Sequence, residues 1–353
     1  MGCEPCRGVS VPCSGPQRTH EQPTVCLLAY APPARYASSM LDRVKRGLRS
    51  HEEERLQEEL DEARAIVKRL KKRLKKDGGD PFPAENLVWI FGTARVGSTW
   101  LHLMIGELPG WERWNEPHIG KLFGGFYQET GAAPQNSNRR EFIFSVPKVR
   151  RRAIRAFVLA ALAAKFRDSP TVVIKEPNGS IGAPLLMEAL PESRMILLIR
   201  DPRDVVASGL GAASEGGWWY EVRKRGGAES PQSREEIVES RSKRYNHQIG
   251  AAKQAYEAHP GPKILIRYEE LRANTLGTMK RLCSALDLSV DEQELAQAVE
   301  QHAWENIPEG DKGPGKRLRK ATPGGWRGDL TPEEARRVER ITAPLLKQFY
   351  PPA

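Results

Sequence analysis

Four short apolar runs stand out along the chain: Leu87–Phe91, Thr171–Lys175, Met195–Arg200 and Lys263–Tyr268. Each is nearly continuously apolar, the pattern of a strand covered on both faces of a parallel sheet. Helical runs lie between them, and the alternation predicts a doubly wound α/β domain with ligands at the carboxyl ends of the strands. Gly120–Arg167 reads as mostly helical in its second half, starting from the basic stretch Lys148–Arg155. Within that half, Phe157–Ala164 reads as a buried helical face. Gly209–Arg234, which holds Trp218-Trp219-Tyr220, and the Gly/Pro/Lys-rich Glu305–Pro323 read as insertions able to shape a pocket or act as lids.

The amino-terminal part follows different rules. Residues 1–36 are rich in Pro, Gly, Ser and Cys, show no periodicity and read as a disordered tail. Residues 37–80 read as a helix with a heptad seam, because Leu56, Leu60, Ala63, Val67, Leu70 and Leu74 alternate at spacings of four and three. Its first half is acidic (Glu52–Glu54, Glu58, Glu59) and its second half basic (Lys68, Arg69, Lys71–Arg73), an order that complements the helix dipole. Such a seam either joins two protomers as a coiled coil, giving a homodimer, or lets a lone helix fold back on the chain. Gly78-Gly79-Asp80-Pro81 ends the helix, and residues 82–353 read as the folded domain that follows.

Composition narrows the partners. The 353-residue chain is 39% hydrophobic and carries a formal charge of +10, which favours anionic ligands. No basic–aromatic signature of a nucleic-acid module occurs, so no nucleic acid is expected as a partner. No apolar run approaches the ~20 residues of a membrane span. Cys3, Cys6, Cys13 and Cys26 crowd the first 26 residues without a metal-site frame, and Cys283 stands alone, so reduced thiols and no metal are expected.

The chemistry concentrates in two segments. Val88–Leu101, VWIFGTARVGSTWL, turns from an apolar run through a glycine-rich loop into a helix. A strand–loop–helix of this kind cradles an anion with backbone N–H groups and a helix N-terminus. Gly92 and Gly97 have the spacing of a nucleotide-triphosphate loop, but Ser98 stands where that loop needs lysine, which argues against ATP or GTP hydrolysis. The basic residue is Arg95, inside the loop. Met195–Ser208, MILLIRDPRDVVAS, ends a second apolar run in Arg200 and reaches Ser208 eight residues later. An arginine at a strand end, with a hydroxyl two helical turns on, can hold a second phosphate. Two anion sites on one sheet edge suit a ligand with phosphates at both ends.

GTARVGSTWL resembles the 5′-phosphosulfate loop of the sulfotransferases, and IRDPRDVVAS resembles their 3′-phosphate motif. The implied donor is 3′-phosphoadenosine-5′-phosphosulfate (PAPS). Ile264–Leu271, ILIRYEEL, is similar to the strand whose tyrosine, here Tyr268, reaches the adenine. Arg319–Thr331, RKATPGGWRGDLT, resembles the late loop that closes over the 3′-phosphate, with Ala321 in place of its first glycine. The resemblance spans about residues 85–350. It implies a P-loop-like three-layer α/β fold and a sulfuryl transfer by in-line displacement, without a metal, to an acceptor hydroxyl or amine on a small molecule, glycan or lipid.

The same resemblance distributes the roles. Thr93, Arg95, Gly97, Ser98 and Thr99 would cradle the 5′-phosphosulfate, with Arg95 neutralising the leaving group. Trp100 either stacks on adenine or packs in the core. Arg200, Ser208, Arg319, Lys320 and Arg327 would surround the 3′-phosphate, arginine suiting the task by its planar fork. The histidine base of cytosolic sulfotransferases is absent, since the matching place reads Lys175-Glu176-Pro177. The segment is closer to the Lys-Asp-Pro of the tyrosylprotein branch, which implies Glu116 as general base and Lys175 as a sulfate-contacting cation, with Glu176 and His118 as alternatives. Many eukaryotic sulfotransferases of that branch are membrane-anchored in the Golgi. Without an anchoring run, a cytoplasmic, bacterial-type enzyme is expected here. A small-molecule kinase and a non-catalytic interaction platform are the competing functions.

Overall fold

In a computed structural model of the chain, the described residues are 57, 61, 65, 80–130, 146–166, 171–226, 233–313, 315–316, 318 and 320–351. Contacts divide the chain into two compact units, residues 1–69 and 70–353. Of the first unit, Gln57, Asp61 and Ala65 are helical and exposed, and Gln57 Nε2 donates to Asp61 Oδ2 at 3.1 Å. The expected tail and the apolar seam from Leu56 to Leu74 lie outside the described residues.

The second unit runs β1 (Leu87–Phe91), α1 (Ser98–Gly106), β2 (Trp111–Asn115), α2 (Ile119–Thr130), α3 (Pro147–Lys165), β3 (Thr171–Lys175), α4 (Ala183–Ala189), β4 (Arg194–Ile199), α5 (Pro202–Ala213), α6 (Trp218–Arg225), α7 (Arg234–Ala258), β5 (Lys263–Arg267), α8 (Tyr268–Ala273), α9 (Thr275–Ala285), α10 (Glu292–Gln301), α11 (Trp326–Asp329) and α12 (Pro332–Phe349). The strands pair in the order β2-β3-β1-β4-β5, and every pairing is parallel. This is the expected helix-flanked α/β sheet.

Sequence explains the order of the sheet. The five residues of β1 are all fully buried, as a central strand with helices on both faces requires. Strand β5 alternates half-buried and buried residues, as an edge strand does. The other edge, β2, was not anticipated: its sequence, WERWN, carries Glu112 and Arg113 exposed, so it lacks the apolar run that marks the inner strands. The predicted run Lys263–Tyr268 stops one residue early, and Tyr268 opens α8. Trp218-Trp219-Tyr220 opens a helix, α6, capped at both ends by glycine. In α3, Val158, Leu159 and Leu162 are buried as expected, but Phe157 is exposed on the opposite side.

Helix α7 has a capping box in which Ser233 and Glu236 each satisfy the other's backbone N–H. Its length carries Tyr245 and Gln248 under the strand ends, where the Tyr245 hydroxyl donates to the Arg200 carbonyl at 2.9 Å. Strand β1 lies between β3 and β4, and the chain runs from β1 to β2 on one side of it and from β3 to β4 across it, so a crevice opens at the carboxyl ends.

Candidate active site

The loop after β1 is held from three sides. Gly92 N–H donates to Ser180 Oγ at 2.9 Å. Thr93 Oγ1 donates to Gln248 Oε1 at 2.5 Å, which turns its hydroxyl into the protein. Gly97 is the N-cap of α1 at φ 96°, and a Cβ there would meet the Tyr268 ring at 2.5 Å. Only glycine satisfies both the backbone and the close approach. Arg95 also has positive φ, at 77°.

A cavity of about 680 Å³ lies over this loop. Arg95, Gly97, Ser98, Thr99 and Trp100 line it from the loop and α1; Arg200 and Ser208 from β4 and α5; Tyr268 from the start of α8; and Lys320 from the late loop. The two predicted anion sites therefore meet in one cavity. Arg95 Nε donates to Ser208 Oγ at 3.0 Å, and Arg200 Nη1 donates to the Arg95 carbonyl at 3.3 Å. The Arg200 guanidinium lies 4.4 Å from the centre of the Tyr268 ring. The Trp100 indole N–H donates to the His302 carbonyl at 2.7 Å, with its ring edge-on to Tyr268.

Some predicted residues stand elsewhere. Thr93 is 2% exposed and does not line the cavity. Arg327 is also outside the lining, its guanidinium 4.7 Å from the Trp326 ring centre. Arg319 lies outside the described residues. Trp218 and Lys316 line the cavity from the two insertions expected to shape a pocket, and Trp304 and Arg272 line it without having been predicted to. So does Asp204, whose buried carboxylate accepts the Gly324 N–H at 2.7 Å and the Trp326 N–H at 2.9 Å. It fastens the late loop to α5.

Glu116, Lys175 and Thr99 form a second group next to the cavity. Lys175, 4% exposed at the end of β3, places Nζ 2.7 Å from Glu116 Oε1 and donates to Thr99 Oγ1 at 3.0 Å. Asn178 Nδ2 donates to Glu116 Oε2 at 2.8 Å. Glu116 and His118 flank Pro117 in left-handed backbone, at φ 49° and 60°. Strain of this kind persists only where surrounding contacts over-determine it, and it concentrates at functional positions. Burial pushes the Glu116 carboxyl up, but the hydrogen bond and charge of Lys175, with the Asn178 amide, outweigh it and hold the group below its ordinary value. Glu176 is fully buried, its carboxyl raised to about 8 by burial and by the neighbouring Glu116 charge.

The cavity suits a dianionic nucleotide: guanidinium and ammonium groups at one side, glycine-backed N–H groups at a helix N-terminus, and indole and phenol rings between. The sulfotransferase family model matches residues 88–292, more than half of the chain. The chain belongs to the sulfotransferase family. It is the family that the two motifs implied. Among solved structures this sulfotransferase is similar to mouse sulfotransferase SULT7A1 complexed with PAP, at 14% identity over 76% of this chain and 87% of that one, with a TM-score of 0.48. It is similar also to sulfotransferase STF9 from Mycobacterium avium, at 12% identity over 80% and 81% with a TM-score of 0.44. The sulfotransferase domain from the curacin biosynthetic pathway matches at 16% over 73% and 96%, with a TM-score of 0.43. No curated protein matches the sequence significantly. Among the described residues, no helix is long and apolar enough to cross a membrane.

Proposed function

We propose that Glu116 is the general base with which this sulfotransferase moves the sulfuryl group of PAPS onto a hydroxyl or amine of a small-molecule, glycan or lipid acceptor. The observation that carries this reading is the position of Lys175, whose ammonium touches both Glu116 and Thr99 at the mouth of the phosphate loop. A carboxylate kept ionised by that ammonium is in its proton-accepting form at neutral pH. The acceptor oxygen or nitrogen forms a bond to sulfur as its proton passes to Glu116. The sulfur–oxygen bond to the 5′-phosphate breaks, and its electron pair leaves with adenosine 3′,5′-bisphosphate.

Gly97, Ser98 and Thr99, at the N-terminus of α1, hold the 5′-phosphosulfate. Arg200 and Ser208 hold the 3′-phosphate, with Lys320 and Arg319 from the late loop. Arg95 neutralises the leaving 5′-phosphate, a role supported by its place in the loop and its bond to Ser208. Trp100, Trp304 and Tyr268 wall the base. Lys175 neutralises charge on the sulfuryl group as it transfers.

Two measurements test this. Adenosine 3′,5′-bisphosphate should stabilise the protein selectively over magnesium-ATP, by about 2.7 kcal/mol at a hundred times its Kd. Glu116→Gln should lower turnover of PAPS with a panel of phenols, alcohols and amines by roughly 10²–10⁴ while leaving bisphosphate binding intact. A fully active Glu116→Gln enzyme would refute the base assignment, and a preference for magnesium-ATP would favour the kinase.

The heptad seam supports a further proposal from sequence alone, that the full chain is a homodimer joined by residues 37–80. Light scattering on the full chain should give twice the monomer mass. A chain beginning at Asp80 should give the monomer mass.

A further inference from the structure

Gln248 belongs to none of the sequence motifs, yet it is buried near the middle of α7 at 8% exposure. Its two amide atoms face different partners. Oε1 accepts from the Thr93 hydroxyl at 2.5 Å, and Nε2 donates to the Asn178 carbonyl at 3.3 Å. The Asn178 side chain in turn donates to Glu116 Oε2. The other Glu116 oxygen meets Lys175, and Lys175 meets Thr99. The chain of contacts thus leaves the phosphate loop at Thr93 and returns to it at Thr99, with Glu116 between.

The two partners of Glu116 are not equivalent. Lys175 is a cation whose second contact is Thr99, at the helix N-terminus that receives the anionic donor, so the donor competes with Glu116 for its N–H groups. Asn178 is neutral, and its backbone is anchored away from the cavity by Gln248. Glu116 itself sits in strained left-handed backbone before a proline, which gives its side chain no regular structure to lean on. Something else must keep the carboxylate aimed once Lys175 turns to the donor.

We infer that Asn178, braced by Gln248, is a positioning residue that holds the Glu116 carboxylate in register with the phosphate loop and frees Lys175 to serve the donor. The inference rests on Glu116 being the base. Asn178 Nδ2 fixes one carboxylate oxygen, and Oε1 becomes the atom that takes the proton. Gln248 ties that geometry to Thr93, so the loop that cradles the donor and the group that deprotonates the acceptor move as one body. Misplacing a reacting group by about an ångström costs roughly a hundredfold in rate, so such a brace bears directly on turnover.

The test needs no known acceptor. Turnover is followed as release of adenosine 3′,5′-bisphosphate from PAPS with water as acceptor. The Glu116 carboxyl is titrated by its carbon-13 resonance, identified by its loss in Glu116→Gln. The other groups facing this carboxyl are Lys175 and Glu176 at the end of β3, His118 beside it and His102 on α1; the last is lowered to about 4 by burial and is neutral above that pH. Asn178→Ala removes a donor to the ionised form, so the Glu116 midpoint should rise by roughly half a unit to one unit. Turnover should fall about tenfold or more with KM for PAPS and affinity for the bisphosphate unchanged. Gln248→Leu should act in the same direction and less strongly, and it carries the test if Asn178→Ala does not fold.

An unmoved Glu116 midpoint with unchanged turnover in both variants would overturn the inference. Loss of bisphosphate binding in step with turnover would do the same, because it would mark a merely structural role. An active Glu116→Gln enzyme would instead remove the base reading beneath it, so the two failures are distinguishable.

Discussion

Arg95 and Ser208, 113 residues apart in sequence, share a 3.0 Å hydrogen bond from Nε to Oγ. It joins the loop after β1 to the second turn of α5 and turns two phosphate motifs into a single cavity wall. Ser208→Ala deletes the acceptor while leaving the partly buried guanidinium in place. A hydrogen bond to a charged group contributes about 1.5–3 kcal/mol. Calorimetry should therefore show affinity for adenosine 3′,5′-bisphosphate falling by at least tenfold as the 3′-phosphate loses a hydroxyl, and the melting temperature of the free protein should drop with the loss of the Arg95 contact. Wild-type affinity would mean that the pair contributes nothing to the donor site.

Glu176 makes a prediction about pH. Its carboxyl titrates near 4.5 when unfolded and near 8 in the folded chain. The folded state therefore holds a proton that the unfolded state has released, and stability is lost as pH rises from the first value to the second. Glu176→Gln removes that proton linkage in nearly the same volume. The variant should match the native protein near pH 5 and exceed it by a few kcal/mol at pH 8, at roughly 1.4 kcal/mol per unit between the two values. Urea unfolding at both pH values measures this, and parallel stability profiles would contradict it.

Asp204 accepts two backbone N–H groups of the late loop. Asparagine keeps the shape but has only one oxygen, so Asp204→Asn should free one of those contacts and leave its own amide facing an N–H. The expected result is faster proteolysis within residues 304–325 and weaker bisphosphate binding, by about tenfold. Unchanged cleavage would show the loop to be held by its other contacts, such as Lys320 to Asp329 at 2.8 Å.

Ala321 occupies φ 50°, a backbone region that favours glycine. Ala321→Gly removes the Cβ clash, and thermal denaturation should register a gain of about 1 kcal/mol. A drop in melting temperature would show that the Cβ contributes packing that outweighs the strain.

Much of this was legible in the chain. The inner strands announce themselves because burial on both faces demands unbroken apolar sequence, and the glycine loop because φ 96° at Gly97 admits little else. Arg200 and Ser208 follow from helical spacing. Strand β2 was hidden because an edge strand with a solvated face needs no such run. Asp204, Asn178 and Gln248 were hidden for a different reason. Each acts through a partner far away in sequence, and a polar residue in a helix or turn carries no local mark of which distant backbone or carboxylate it will meet. Glu116 was reachable only through the resemblance, since nothing in Trp114-Asn115-Glu116-Pro117-His118 by itself distinguishes a base from a paired surface acid.

The cavity takes its wall from Arg95, Arg200, Tyr268 and Lys320, which spread across most of the catalytic domain. Contacts of such sequence separation form late in folding, after the loops between them have closed. A nascent chain released before the late loop has emerged therefore holds the phosphate loop and Arg200 but no complete donor site. Capture of the bisphosphate then reports the last assembly event, and an immobilised bisphosphate column would separate finished molecules from arrested ones.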